Sequence, residues 1–402
     1  MLLLGTGATT WMNDSLTAIQ VAAGLLSGFP GIDTANHYRN QRGVAHGIAL
    51  ARSRGWAGDL WLQSKVEGCG ASVDPRSPIL AHRCREGTRA ALLSNLEELG
   101  VDSVDLTLLH SPPCIPNASW LLPAPGWPGG CGGNPRGDLV YPHRANCSHP
   151  QACRMMREQW KAMEGAYAEG LTRAIGVSNF CADCLACIAG EAEVLPHVNQ
   201  MRMHAGMGGG DPKGVVSATE RTGAVLQAYQ PLAHGEGSLL TDPTVRRIAA
   251  SLNKSAAQCT PACQVHISIP DAVFTSPSLV SRSLSSCHVH TMVCIPFEPS
   301  SSVAVFHALH LSIPPLLVLT AHSLLHLRHH VLTSTPVVTL TTPAVALKWV
   351  LQLGHPLVTS TESESHMRAD LDVVDWQLTP AHMASLTALD THPEDPTPMC
   401  LF

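Results

Sequence analysis

In the stretch GIDTANHYRN a carboxylic acid, Asp33, and a phenol, Tyr38, stand five residues apart. A phenol has a reference pKa of about 10, so at neutral pH it gives up a proton only where a neighbouring charge helps the phenolate form. Lys65 offers an ammonium for that purpose, and Asp33 a carboxylate that keeps the lysine charged and in place. His110 adds a ring that can hydrogen-bond a substrate oxygen beside Tyr38. These four residue types suit the protonation of a developing alkoxide. With no nucleophile or metal set beside them, electrons must come from elsewhere, and hydride from a nicotinamide is the natural source. No GxGxxG followed by an acidic residue occurs, so a Rossmann mode of nucleotide binding is not expected. Ser178, Asn179 and Gln200 suit a carboxamide, and Tyr229 suits stacking on its ring.

Something must bring residues so far apart in sequence to one place. Short β-rich runs alternate with helical text: Leu2 to Thr6, Gly31 to Thr34, Leu60 to Lys65, Val104 to His110, Arg173 to Ser178, His197 to Met201, Val225 to Tyr229 and Pro356 to Ser360. Segments such as REGTRAALLSNLEELG and REQWKAMEGAYAEG lie between them, each ending in a glycine suited to a helix C-terminus. Eight strands with intervening helices predict an α/β fold of the (β/α)8 TIM barrel type, with an open doubly wound sheet as the runner-up. Asp33, Lys65, His110, Ser178, Asn179, Gln200 and Tyr229 all fall at the C-terminal ends of these strands, where a barrel builds its active site.

Two stretches break the rhythm. Residues 111–155 are rich in Pro, Gly and Cys and follow the fourth strand as a long loop. Residues 259–344 carry only four charged side chains in 86, against 52 in the other 316, and hold nine Pro and nine His. Just before them NKSAAQ reads as a helix start, Ser255 capping and Gln258 completing the box, cut short by Pro261. Helical text resumes at Val345, and joining the flanks gives SAAQVALKWVLQLG, one ordinary amphipathic helix. The expected organisation is therefore a barrel portion at 1–258 with seven strands, a segment foreign to the fold at 259–344, and completion by the eighth strand and tail at 345–402. A membrane helix in the foreign segment is not expected, because its charge-free window contains Pro314, Pro315 and four histidines.

Composition narrows the partners. Charged residues are 14% of the chain, the formal net charge is -6 and no basic block occurs, which argues against nucleic acid. The opening MLLLGTGATTWMND has no basic region and no long apolar run, so the expected compartment is cytoplasmic and the fourteen cysteines are expected to be mostly reduced. CADCLAC places Cys181, Cys184 and Cys187 at metal-like spacing, but no fourth ligand can be identified, so no metal is expected there.

The segments GIDTANHYRN, LQSKV, LEELGVDSVDLTLLHSP, GLTRAIGVSNF, HVNQ, AYQPL and DLDVVDWQLT, in this order and spacing, closely resemble the aldo-keto reductase superfamily. The resemblance spans nearly the whole chain outside 111–155 and 259–344. It implies a catalytic tetrad of Asp33, Tyr38, Lys65 and His110 with Tyr38 as general acid. It also implies nicotinamide contacts from Ser178, Asn179, Gln200 and Tyr229, with Gln230 and Leu232 beside them. NADPH is the implied cofactor, NADH the alternative, and a small-molecule aldehyde or ketone the substrate. Where the family carries Lys, Ser, Arg and Asn for the 2′-phosphate and adenine, this chain has Ser360, Thr361, His366 and Asp370, with Arg368 nearby. The alternative expectation is a non-catalytic cofactor- or partner-binding barrel, or a chain inactivated because 259–344 disrupts its fold.

Overall fold

The computed structural model describes residues 1–8, 10–70, 82–113, 121–123, 143–145, 147–233, 238–258, 289–292, 306–309 and 342–390. Eight parallel strands close into a barrel. They are β1 (Leu2–Gly5), β2 (Gly31–Asp33), β3 (Trp61–Val66), β4 (Leu106–Leu109), β5 (Ile175–Ser178), β6 (Val198–Arg202), β7 (Val225–Tyr229) and β8 (Leu357–Thr359). Each pairs with its neighbour in sequence order, and β1 pairs with both β2 and β8, which closes the ring. An open sheet would end in two edge strands, whereas here all eight strands are paired on both sides, so the doubly wound alternative is ruled out. Strands covered on both faces can be largely apolar, as the fully buried LLLG of β1 and LTLL of β4 illustrate.

The helices between the strands follow from local chemistry. In α1 (Asp14–Ser27) Asn13 caps the start by accepting from the Leu16 amide, and Gly28 ends it at φ 112, where a side chain would be strained. Asp14 accepts from the Gly43 amide at 2.8 Å, tying α1 to α2 (Gln41–Ser53). The helices α3 (Cys84–Leu99), α4 (Pro150–Ala168) and α5 (Ala182–Ala189) continue the ring. Trp160 of α4 and Trp349 of the later helix Thr342–Gln352 are among the largest fully buried side chains, sealing the layer between helices and barrel.

The expected strands match closely; β4 begins two residues late, with Val104 making a single bridge to Thr172. Near the low-charge segment the local reading needs correction. Residues 253–258 form the end of one helix, Pro243–Gln258, so Ser255 lies inside a helix and not at its start. The run from Pro243 supplies the preceding turns, which makes a new nucleus at Ser255 unnecessary. Spatially the chain divides into one unit of residues 1–250 and 340–402, which holds the barrel, and a second of residues 251–339. In the second, Val289–Met292 pairs antiparallel with Phe306–Leu309; the rest of 259–344 up to 341 lies outside the described residues, as do most of the 111–155 loop and the tail from 391. No described helix is long and apolar enough to cross a membrane.

The thiols also depart from expectation. Six of the seven described cysteines are paired, as Cys69–Cys84, Cys147–Cys184 and Cys153–Cys187. Cysteines 15 to 37 residues apart come to Cα–Cα separations of 4.9 to 5.6 Å, within the reach of a disulfide. Linear spacing does not reveal such approaches.

Candidate active site

Lys65, on β3, is fully buried and is the centre of the site. Its ammonium donates to Asp33 Oδ1 at 2.6 Å, to the Thr34 carbonyl at 3.1 Å and to Tyr38 Oη at 3.2 Å. Asp33 ends β2, and a short 3-10 turn, Asn36–Tyr38, carries the chain over the barrel mouth, so the five-residue spacing returns the phenol to the same lysine. The turn finishes at Arg39 in the left-handed region, and Gly7 packs so closely that an added Cβ there would overlap the Tyr38 ring. His110 stands edge-on to that ring, with centroids 5.6 Å apart. All four predicted tetrad residues thus meet.

The electrostatics differ from the simple expectation for the phenol. Burial pushes the Tyr38 pKa up to about 12, and Lys65 opposes that shift without cancelling it. Burial disfavours the Lys65 ammonium, but Asp33 and Tyr38 outweigh it and hold its pKa above the ordinary value. At neutral pH the pair is therefore a protonated phenol beside a charged lysine.

Below the tetrad lies a layer of amides of which sequence reasoning singled out only Gln200. Gln63 and Gln200 both donate to Asp33 Oδ2, the latter at 2.8 Å, and both also donate to Gln227 Oε1, at 2.9 and 2.7 Å. Gln200 is thus turned into the barrel toward Asp33. A strand period of two marks Gln63 from Lys65 and Gln227 from Tyr229, and that signal was available. The same step forward from Lys65 reaches Glu67, which is buried between His37 Nδ1 at 2.9 Å and His110 Nδ1 at 3.6 Å. Burial would raise the Glu67 pKa, but the two histidines override it and hold the carboxyl well below the usual range. Burial lowers the His110 pKa despite Glu67.

Across the mouth, Ser178 donates to the Gln200 carbonyl at 3.0 Å, and Asn179 donates to the His110 carbonyl at 2.9 Å. Tyr229 donates to Asn179 Oδ1 at 2.7 Å, so a hydroxyl, an amide and an aromatic ring share one rim. This donor set fits a ring bearing a carboxamide. Asn179 and Gln230 both have left-handed backbones, at φ 64 and 51, which turn the chain sharply at the ends of β5 and β7. Gln230 accepts from Arg202 at 2.9 Å, and Leu232 is half-buried beside the turn.

The Aldo/keto reductase family profile matches residues 1–259. The chain belongs to the aldo/keto reductase family. Aldose reductase B of Dictyostelium discoideum is 30% identical over 260 residues, covering 64% of this chain and 73% of that protein. Glyoxal reductase of Bacillus subtilis (strain 168) is 29% identical over 254 residues, covering 63% and 71%. Among solved structures, a Bombyx mori aldo-keto reductase in complex with NADP superimposes with a TM-score of 0.57 at 18% identity, over 97% of this chain and 89% of that one, and shares the fold.

In this aldo/keto reductase the residues standing where the resemblance places the 2′-phosphate clamp lie after β8. Gln20 donates to Ser360 Oγ at 3.4 Å and to the Thr361 carbonyl at 3.0 Å. Thr361 Oγ1 and His366 Nδ1 are 3.5 Å apart. Arg368 is paired with Glu364 at 2.8 Å, both largely exposed. Asp370 is buried and accepts from Thr359 Oγ1 at 3.0 Å. Burial raises its pKa from 3.8 to about 6. A carboxyl whose folded pKa is raised binds more protons folded than unfolded between those values, so stability is full below pH 3.8 and declines as pH rises toward 6. The shift corresponds to roughly 3 kcal/mol. Asp370→Asn keeps an acceptor for Thr359 and cannot ionise. Its urea midpoint is expected to exceed that of the parent at pH 7.5, by about 2 kcal/mol of stability, with the gain shrinking toward pH 4. A gain independent of pH would refute this account of Asp370.

Proposed function

We propose that this aldo/keto reductase converts an aldehyde or ketone to its alcohol with NADPH as hydride donor and Tyr38 as proton donor. The observation that carries the reading is the buried Lys65 bonded at once to Asp33 and to the Tyr38 hydroxyl. A bound nicotinamide would supply the hydride for the carbonyl carbon. Tyr38 holds its proton at neutral pH and releases it only to a stronger base, which an alkoxide is. Lys65 then faces the new phenolate with a full positive charge, in a setting where water does not screen it. Asp33 keeps that charge fixed, and Gln63 and Gln200 keep Asp33 fixed. His110 flanks Tyr38 where the substrate oxygen arrives. Ser178, Asn179 and Tyr229 would hold the carboxamide-bearing ring. The test is direct: the full chain with a panel of short aldehydes should consume reduced cofactor and form one alcohol per cofactor oxidised. No turnover with either NADPH or NADH would overturn the reading.

The adenosine end supports a moderate preference for NADPH. Arg368 is the cation suited to a 2′-phosphate, and Glu364 competes for it. Surface pairs of this kind contribute at most about 1 kcal/mol. Glu364→Gln is therefore expected to raise the ratio of kcat/KM for NADPH over NADH by roughly two- to fivefold. An unchanged or lowered ratio would remove Arg368 from cofactor recognition.

A further inference from the structure

Five cysteines converge where the end of the 111–155 stretch meets α5. Cys147 precedes α4, Cys153 lies in its first turns, Cys181 is the N-cap of α5, and Cys184 and Cys187 follow within it. The three sulfurs of Cys147, Cys181 and Cys184 all lie within 4.8 Å of one another, and those of Cys181 and Cys184 are 3.5 Å apart. The three residues are 1%, 2% and 0% exposed. In this structure Cys147 and Cys184 are joined as a disulfide.

We propose that the thiol state of this cluster is a binding site for one thiophilic divalent cation, Zn2+, held by Cys147, Cys181 and Cys184. Zinc–sulfur bonds of about 2.3 Å place two sulfurs of a tetrahedral site roughly 3.8 Å apart, close to the 3.5 Å between those of Cys181 and Cys184, and reduction frees Cys147 and Cys184 to separate to the same distance. Cys181 and Cys184 stand three residues apart at the start of one helix, and the fold delivers a third sulfur from 34 residues upstream of Cys181. Buried thiolates without a cation would be strongly disfavoured, whereas the ion compensates them. The chemistry balances with a dithiol as reductant. The Cys147–Cys184 bond breaks as two electrons and two protons pass from the dithiol, which closes to its own cyclic disulfide. Zn2+ then takes the place of the three thiol protons, which are released to solvent. The ion would join the strand-four excursion to the helix that starts three residues after Asn179, on the rim of the proposed nicotinamide site.

Co2+ is the spectroscopic probe. The full chain, reduced with dithiothreitol and freed of it without oxygen, is titrated with Co2+. Thiolate-to-metal charge-transfer bands in the near ultraviolet should saturate at one equivalent and vanish on adding Zn2+. Cys181→Ser keeps the Cys69–Cys84, Cys147–Cys184 and Cys153–Cys187 pairs, so the fold stays testable, and it should weaken binding about tenfold or more. Cys184→Ser should abolish the bands, whereas Cys69→Ser and Cys153→Ser should leave them. Absence of the bands in a reduced chain with native circular dichroism would overturn the proposal, as would equal bands in Cys181→Ser. Because the readout is metal binding, its failure is distinct from a failure of carbonyl reduction.

Discussion

Tyr38→Phe is expected to lower kcat for carbonyl reduction by about 10²- to 10⁴-fold, the range lost when a positioned proton donor is removed. The substitution deletes one oxygen and keeps the ring that packs against Gly7 and His110. Lys65 loses only its 3.2 Å contact to the phenol and keeps Asp33 and the Thr34 carbonyl, so its charge stays compensated. The variant should therefore fold normally and quench its fluorescence with reduced cofactor as the parent does. Since the Tyr38 pKa is pushed up to about 12, parental activity should not show a basic limb from this phenol below pH 10. Turnover within a few-fold of the parent would place the proton donor elsewhere.

Lys65→Met should be the most damaging single change to stability as well as to activity. It leaves Asp33, 3% exposed, with a buried carboxylate facing only amide donors. Breaking a buried pair from one side costs about 3–5 kcal/mol, chiefly because the remaining charge is uncompensated. The double variant Asp33→Asn, Lys65→Met removes that charge and should recover most of the lost stability in urea unfolding, while carbonyl reduction stays at background. That split separates structure from chemistry. Recovery of activity together with stability would show that the pair serves the fold alone, and a double variant no more stable than Lys65→Met would refute the buried-charge account.

The contrast between these two residues shows what the sequence discloses. The spacing from Asp33 to Tyr38 looks idle on paper; it is the span of a strand end and one 3-10 turn, which brings the phenol back over the lysine. Strand-end residues were legible because alternation along a strand and the barrel rule point to the same places. Gln63, Gln227 and Glu67 obey that alternation too, and they were passed over because amides and a carboxylate inside a barrel look out of place until their partners are seen. His37 gave no such signal: its pairing with Glu67 depends on how the 3-10 turn lies across β3.

Direction of titration was not legible at all. Lys65 acts on Tyr38 as the sequence suggests, but burial, a property of the closed barrel, outweighs it. Asp370 reads as a surface cofactor contact, yet it is buried against Thr359 and its carboxyl is raised toward neutrality. The cysteines read as mostly reduced thiols, and the fold brings Cys147 and Cys153 to the Cys181, Cys184 and Cys187 of α5 and pairs four of these five.

By itself the sequence determined the family, the eight strands and the meeting of Asp33, Tyr38 and His110 with Lys65, because hydrophobic period, turn chemistry and strand-end position are local properties. Tertiary structure alone decided protonation, the support beneath Asp33 and the company of each cysteine. Those depend on desolvation and on approaches between residues far apart in the chain, which no spacing along it records.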